Sequence, residues 1–385
     1  MAETLTGVNG EIIKWAREFY NMTSEEAANA IGVNVEKYSA WENGVEFPTY
    51  AKLRKISDIF RKPSALFFFP SPPELPQVKG DLRTLSTEVV SKLSKNIIIQ
   101  FEKAKAYQLN LRELYGERSS ILCNRSEFPK DTDELCNYLR EIMSFPIDVQ
   151  KKRKSAKVVF EIFRDKFYEL GIYVFKDSFK DNNVSGLCLN DDHYPIIIIN
   201  NSMSFARQNF TLFHELFHLL SDTSGAEIIR DDYYVYLNDQ QTTDEKACDI
   251  FANSFLVPLS DFSQELNKLP LSDKRIEELS ELYSVSKEAI MYKLLNMGKI
   301  THQDYDRLKE VFYGDALRNP PRKKDEKSGG NYYLTKLSYL GHQYTRDVFR
   351  EYFSGRIDNV RTSEMLNSKI DHLPKLETAF YRGVK

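Results

Sequence analysis

The sequence predicts an α+β protein that is predominantly helical, with a small sheet in the second half of the chain. Apolar residues recur with a helical period along most of the 385 residues. Between residues 171 and 200 the pattern changes to short runs rich in β-branched and aromatic residues, separated by Asp- and Asn-rich turns. We expect strands at 171–175, 184–189 and 194–200, in a sheet of three strands or slightly more.

Composition and charge argue against several classes of protein. Apolar residues make up 42% and charged residues 28% of the chain, which is enough apolar mass for a sizeable core. The formal net charge is −3, so the whole molecule has no excess of positive charge for a polyanion. No apolar run approaches the roughly 20 residues that span a bilayer, and the first residues do not have the pattern of a secretory signal. The four cysteines form no C-x-x-C pair, which is typical of buried thiols in a reducing compartment. We therefore expect a cytoplasmic protein with no membrane partner.

Residues 1–75 contain the start and stop signals of several short helices. Thr23 and Glu26 form a capping box that begins one helix, and Gly32 ends it. Asn34 caps the helix that follows. A proline-rich linker closes this predicted helical bundle.

The rest of the chain divides into three further predicted segments. A polar stretch rich in Pro, Gly and charged residues, 319–330, separates the last two of them. The segments are a helical linker region over 76–150, a mixed α and β part over 151–312, and a C-terminal helical extension over 331–385.

The strongest chemical signal is the run His214-Glu215-Leu216-Phe217-His218. Residues four apart on a helix differ by about 40° in direction, so both imidazoles project from one face. Glu215 lies about 100° from His214 around the helix, where it can reach a metal-bound water without being a ligand itself. Two neutral imidazoles can hold zinc in this arrangement while the carboxylate takes a proton from the water. The alternative is a pair of core histidines that hydrogen-bond to the backbone.

A zinc site with two histidines needs a third protein ligand and an open fourth position. Glu245 and Asp249 follow in a helical pattern, four residues apart and therefore on one helix face. Glu245 is the candidate third ligand. Asp249 could accept the outer N–H of either histidine and so fix its tautomer. Asp244 is a competing ligand, and a solvated helix face is the alternative for all of these acids.

These motifs resemble those of the ImmA/IrrE family of zinc metallopeptidases. The run Phe210–Leu220 contains H-E-x-x-H, and the run Glu245–Pro258 matches the family pattern E-x-x-x-[ND]-x-F-A with its closing L-x-P. Cys248 stands where the family usually has alanine, a small-for-small change that should not disturb a metal.

The resemblance implies a zincin-like peptidase fold of the gluzincin type that binds Zn²⁺. It implies that His214, His218 and Glu245 are the metal ligands. It further implies that Glu215 is the catalytic base, with Asp249 behind the ligands.

The thermolysin-like folds that this family resembles bind substrate as an extended strand along a sheet edge. By that analogy, the run 194–200 is the candidate edge strand. A donor that stabilises the tetrahedral oxyanion is also required. The sequence leaves four candidates for this donor: Tyr233, Tyr234, Tyr236 and His193.

Residues 10–62 include Ile13–Arg17, Thr23–Ala28 and Tyr38–Gly44, and they resemble a helix-turn-helix domain of the Cro/phage-repressor (XRE) type. Such folds place the second helix of the motif in the major groove. The candidate DNA-binding residues on and before that helix are Asn34, Lys37 and Ser39.

Charge in this segment argues in the opposite direction. Residues 1–75 carry 8 Lys and Arg against 10 Asp and Glu, and a negative balance weakens affinity for phosphates. The alternative is a helical unit that forms a homodimer or holds the substrate protein.

The sequence thus predicts a zinc-dependent endopeptidase with a regulatory helix-turn-helix module, in which Glu215 activates a zinc-bound water. By the family resemblance, the substrate is a transcriptional repressor or an antitoxin- or toxin-like partner protein, and operator DNA is a further candidate ligand. Two alternatives involve no turnover. One is a DNA-binding transcriptional regulator whose peptidase fold senses zinc or a partner, against which the intact Glu215 argues. The other is an antitoxin that only binds its toxin.

Overall fold

The protein has two compact units, Met1–Glu102 and Lys103–Lys385, and each is described separately below. The computed structural model describes residues 4–73, 93–153, 155–222, 225–228, 243–318 and 331–382.

The first unit is helical, as its capping signals predict. Apolar faces of the successive helices meet in a core that includes the fully buried Ile12, Ile31 and Phe60. The helices are α1 (Gly10–Phe19), α2 (Ser24–Ile31), α3 (Val35–Glu42) and α4 (Tyr50–Phe60), followed by a short 3-10 helix (Ser64–Phe68).

The start of α2 confirms the capping box. The Thr23 hydroxyl accepts from the Glu26 N–H at 3.2 Å, and the Glu26 carboxylate accepts from the Thr23 N–H at 2.9 Å. Gly32 ends α2 with φ at 76°, a left-handed conformation that favours glycine.

Arg17 on α1 donates to the Glu42 carboxylate on α3 at 2.7 and 3.1 Å, so a two-point ion pair holds these helices together.

The second unit combines helices with a sheet, and the α+β, predominantly helical fold class is confirmed. Its first part contains α5 (Lys95–Tyr115, which begins before the unit boundary), a 3-10 helix (Ile121–Glu127), α6 (Thr132–Ile142), α7 (Ile147–Lys151), α8 (Ala156–Glu169), β1 (Tyr173–Asp177), β2 (Val184–Leu189), β3 (Ile196–Asn200), α9 (Phe205–Leu220) and β4 (Gly225–Ile228). Its second part contains α10 (Thr243–Leu256), α11 (Leu259–Leu266), α12 (Asp273–Tyr283), α13 (Lys287–Asn296), α14 (His302–Arg318), α15 (Tyr332–Leu340), α16 (His342–Phe353), α17 (Asn359–Met365), a 3-10 helix (Ile370–His372) and α18 (Leu373–Arg382).

The sheet has four strands in the order β1-β3-β2-β4. Strand β1 is parallel to β3, and β2 is antiparallel to both β3 and β4. The three predicted strands are present with small changes in their bounds, and β4 was not predicted. The prediction that residues 194–200 form the edge strand was wrong, because β3 lies between β1 and β2. Its run Ile196–Ile199 is buried throughout, which is typical of a central strand covered on both faces.

Aromatic packing fixes α9 against α8 and α10. The rings of Phe213 on α9 and Phe255 on α10 stack with their centroids 4.0 Å apart. Phe163 on α8 meets Phe213 edge-on at 4.7 Å. Helix α9 also packs against β2, β3 and β4, so it lies between the sheet and α10.

The C-terminal helices are part of the second unit. Arg164 on α8 is buried and donates to the carbonyls of Val174, Ser338 and Tyr339 at 2.6 to 2.7 Å. Helix α15 packs beside β1, while β4 lies at the opposite end of the strand order. Among the described residues, no helix has both the length and the apolar character that crossing a membrane requires.

Candidate metal centre

Helix α9 carries the two histidines and the glutamate of the H-E-x-x-H run in its buried half. Its N-cap is Ser204, whose hydroxyl accepts from the Arg207 N–H at 3.3 Å. His214 and Glu215 are completely buried and His218 is nearly so. The two imidazole rings lie 5.1 Å apart between centroids, on the same side of the helix as the spacing predicts.

Helix α10 brings Glu245 to this pair of rings. One carboxylate oxygen, Oε2, lies 3.3 Å from Nε2 of His214, and the other, Oε1, lies 3.4 Å from Nε2 of His218. The Glu245 side chain is 31% exposed, so it forms the solvent side of the cluster. The three side chains therefore converge through two ring nitrogens and one carboxylate. The side chain of Asp244, the competing ligand, lies outside the described residues.

Asp249 lies one turn further along α10 and contacts His214 rather than His218. Its Oδ1 is 2.8 Å from Nδ1 of His214, and its side chain is buried. An ionised carboxylate only accepts hydrogen bonds, so Nδ1 of His214 carries a proton, and Nε2 is the nitrogen that offers a lone pair to a metal when the ring is neutral.

The electrostatics of Glu245 follow from its neighbours. Burial acts to raise the pKa of Glu245, but hydrogen bonds and charge from His214 and His218 outweigh burial and hold this pKa well below its ordinary value. The Glu245 carboxylate is therefore ionised at neutral pH, which is the state that a metal ligand needs.

The Glu215 side chain reaches the sheet beside α9. Its Oε1 lies 3.4 Å from the position that a Cβ on Gly186 of β2 would occupy. A Cβ there would also lie only 2.4 Å from the methyl group of Thr211 on α9. Gly186 thus allows the close approach of helix and strand that holds Glu215, and the sequence analysis missed it. A lone glycine within a predicted strand was the available signal.

Cys248 is a second residue whose proximity to the histidines was not predicted from the sequence. Its side chain is buried, and its Sγ and one ring nitrogen of each of His214 and His218 all lie within 4.8 Å of one another. Cys248 is three residues after Glu245, so the helical period alone places both on one side of α10.

The donor set fits zinc. Two imidazole nitrogens and a carboxylate are ligands that zinc takes in proteins, at about 2.0 to 2.2 Å. A tetrahedral ion with such bonds holds neighbouring donors about 3.4 Å apart. The nitrogen-to-oxygen distances of 3.3 Å to Oε2 and 3.4 Å to Oε1 of Glu245 are each close to that separation.

The candidate oxyanion donors are not brought to the site by any described contact. Tyr233, Tyr234 and Tyr236 lie outside the described residues. His193 lies in the turn between β2 and β3, where its backbone N–H donates to the Asp191 carboxylate at 2.9 Å. The assignment of this donor stays a prediction.

The candidate DNA-binding residues lie on and before α3 in the first unit. Asn34 and Lys37 are exposed and Ser39 is partly exposed. The Asn34 side-chain oxygen accepts from the Lys37 N–H at 3.1 Å, so Asn34 is the N-cap of α3. Helix capping accounts for Asn34 whether or not it also contacts DNA.

Comparison with known protein families supports two of these regions. Residues 168–295 match the family described as the IrrE N-terminal-like domain, peptidase M78, and they contain α9, α10 and the whole sheet. Residues 10–61 match a helix-turn-helix domain. No curated protein and no solved structure gives a significant match to the chain. The chain therefore carries a helix-turn-helix domain followed by an IrrE N-terminal-like peptidase M78 domain, the architecture that its resemblance to the ImmA/IrrE family indicated.

Proposed function

We propose that this chain is a zinc-dependent, cytoplasmic endopeptidase that carries a regulatory helix-turn-helix module. The convergence of the Glu245 carboxylate on Nε2 of both His214 and His218 carries the proposal. A core pair of histidines bonded to backbone would not need a carboxylate from another helix. The family match over residues 168–295 supports a peptidase at the level of the domain.

In this proposal His214, His218 and Glu245 hold the metal, and Asp249 orients the ring of His214. Bound zinc supplies a Lewis acid and lowers the pKa of a coordinated water to about 7. The remaining work falls to side chains of the chain itself. Asp249 keeps one imidazole in the tautomer that presents Nε2, at the 2.8 Å distance given above.

Glu215 is the proposed general base. Its carboxylate is completely buried next to the histidine pair, where water exclusion strengthens its interaction with a reacting group. It takes the proton from the attacking water and later gives that proton to the departing amine. Its Oε1 lies beside β2 at Gly186, and we assign Glu215 the role of base rather than of ligand.

The proposed substrate is a protein segment bound in extended form. Among the strands that the structure describes, β4 stands last in the order and pairs with β2 on one side, so its other edge is the candidate for an added strand. Following the family resemblance, we propose a transcriptional repressor or an antitoxin- or toxin-like partner as the source of that segment.

The helix-turn-helix domain supports a role in DNA binding, with α3 as the helix that enters the major groove. Lys37 is the exposed cation on this helix, while Asn34 and Ser39 are further candidates for DNA contacts. The alternative use of the unit is to form a homodimer or to hold the protein substrate.

One observation favours a second candidate function. The thiol of Cys248 lies in the same cluster as the histidines, and a fourth protein donor suits a metal-sensing site better than an open catalytic one. In this alternative, the chain is a transcriptional regulator or an antitoxin whose peptidase fold binds a metal and a partner without turnover.

Cleavage of proteins encoded next to this gene tests the first function directly. Each neighbour-encoded protein is incubated with the zinc-loaded chain, and cleavage is followed by mass spectrometry of the fragments. Glu215→Gln should abolish cleavage and retain zinc. Glu281→Gln changes an exposed glutamate on α12 and should both cleave and retain zinc as the unaltered protein does. Bound zinc without cleavage of any neighbour-encoded protein would favour the second function.

A further inference from the structure

We propose that Cys248 is a fourth protein ligand of the metal site and that its thiolate closes the site to water. The inference rests on the proposed function, because it adds a donor to the set formed by His214, His218 and Glu245. In the resting protein the thiolate would then hold the position that water needs, and the peptidase would be inactive.

The position of Cys248 is the first argument. Its Sγ and one ring nitrogen of each histidine lie within 4.8 Å of one another. A tetrahedral ion with nitrogen bonds near 2.0 Å and a sulfur bond near 2.3 Å holds nitrogen and sulfur about 3.5 Å apart. Because 4.8 Å is an upper bound on the present separations, the three donors need to close by at most on the order of 1 Å to share one ion.

The arrangement on α10 is the second argument. Glu245 and Cys248 are one turn apart, so both donors reach α9 from the same side of one helix. The carboxylate is partly exposed and forms the outer side of the cluster, whereas the thiol is 1% exposed and lies inside it. The two donors thus differ in burial, with the carboxylate on the solvent side and the thiol in the interior.

The chemistry of the four donors is the third argument. Closed four-ligand zinc sites with cysteine are typical of structural centres, while hydrolytic centres have three protein ligands and one position for water. With two imidazoles, a carboxylate and a thiolate, no position remains for water. Displacement of the thiolate from the metal would therefore open the position that hydrolysis requires.

X-ray absorption at the zinc edge measures the proposed bond without any substrate. The protein is loaded with zinc as the full chain, alongside Cys248→Ala and a matched control, Cys136→Ala. Cys136 is another buried cysteine and lies on α6. We expect a sulfur shell near 2.3 Å in the unaltered protein and in Cys136→Ala, and its absence from Cys248→Ala. Zinc affinity should fall by more than tenfold in Cys248→Ala, since the loss of an outer-shell partner alone costs roughly 10–100-fold.

Cobalt substitution tests closure of the site. Co²⁺ in the unaltered protein should show a thiolate-to-metal charge-transfer band, and added azide should leave the spectrum unchanged. In Cys248→Ala the band should be absent, and azide should shift the spectrum because a position is open.

The outcomes separate this inference from the proposed function. One zinc per chain with only nitrogen and oxygen neighbours in the unaltered protein would overturn the role of Cys248 and leave the peptidase standing. A sulfur shell together with an azide-induced shift in the unaltered protein would overturn closure. Failure of the unaltered chain to bind zinc or cobalt would overturn both proposals. The measurements on the unaltered protein decide the question even if Cys248→Ala does not fold.

Discussion

Asp249 on α10 and His214 on α9 form a buried contact in which Oδ1 lies 2.8 Å from Nδ1. The contact joins the two helices that carry all of the candidate metal ligands. It also determines which ring nitrogen of His214 is available for a metal, because the Asp249 carboxylate accepts a hydrogen bond from the N–H at Nδ1. The candidate centre therefore depends on a residue that is not itself a ligand.

Replacing this carboxylate should weaken the metal without removing it. We expect Asp249→Asn to lower zinc affinity by roughly 10–100-fold, because an amide accepts the Nδ1 proton less strongly and can present its NH₂ group instead. Competition with a fluorescent zinc chelator measures the affinity. Asp371→Asn, at an exposed position in the C-terminal 3-10 helix, is the matched control and should bind zinc as the unaltered protein does. Equal affinities for the two variants would contradict the role given to Asp249.

Gly186 should be required for the approach of α9 to β2. A methyl group there would overlap that of Thr211, whose Cγ2 would lie 2.4 Å away. We expect Gly186→Ala to lower the free energy of unfolding by about 1–3 kcal/mol, as overpacking of a core does. Urea unfolding of the chain measures the change.

The same clash provides its own control. Thr211→Ser removes the methyl group that an alanine at 186 would meet, so the double variant should regain much of the stability lost by Gly186→Ala. If the two changes simply add, the clash between these residues is not the cause.

Lys293 should make stability depend on pH. Burial lowers the pKa of Lys293 to about 8, although the charge of Asp133 acts in the opposite direction. In the unfolded chain a lysine keeps its proton up to about pH 10.4, so between pH 8 and 10 the unfolded state binds more protons than the folded state. The free energy of unfolding should therefore rise with pH across this window, by on the order of 3 kcal/mol in total.

The variant Lys293→Met should remove that rise. Urea unfolding at several pH values between 7.5 and 10 compares it with Lys299→Met, an exposed lysine that should leave the slope unchanged. Parallel pH profiles for the unaltered protein and Lys293→Met would show that the ammonium group is not the source of the slope.

Local signals account for the part of the fold that was predicted correctly. The capping box of Thr23 and Glu26, the helical spacing of the histidines and the apolar strand runs each act within a few residues. Such signals are reliable because a helix cap involves neighbouring residues only, and because apolar spacing within one segment indicates which type of element can bury an apolar face. They predict the existence and type of an element well.

Strand order, in contrast, depends on contacts between distant residues. The run at 194–200 was taken as an edge by analogy, although four consecutive buried isoleucines in β3 are typical of a central strand. Strand β4 is described over Gly225–Ile228, and a run of four residues carries little periodicity.

The candidate site shows the same division. The spacing of His214, His218, Glu245 and Asp249 predicted which residues could meet, and the structure brings all four together. The spacing could not show that Gly186 leaves room beside Glu215. It could not show that the thiol of Cys248 lies within reach of both imidazoles, because both contacts depend on how α9 and α10 pack.

Anomalous diffraction at the zinc edge from crystals of the zinc-loaded protein locates the metal itself. We expect one peak, about 2.0–2.2 Å from Nε2 of His214, from Nε2 of His218 and from a carboxylate oxygen of Glu245. An absent peak, or a peak at the histidines with the Glu245 carboxylate turned away from it, would show that these three side chains do not hold zinc together.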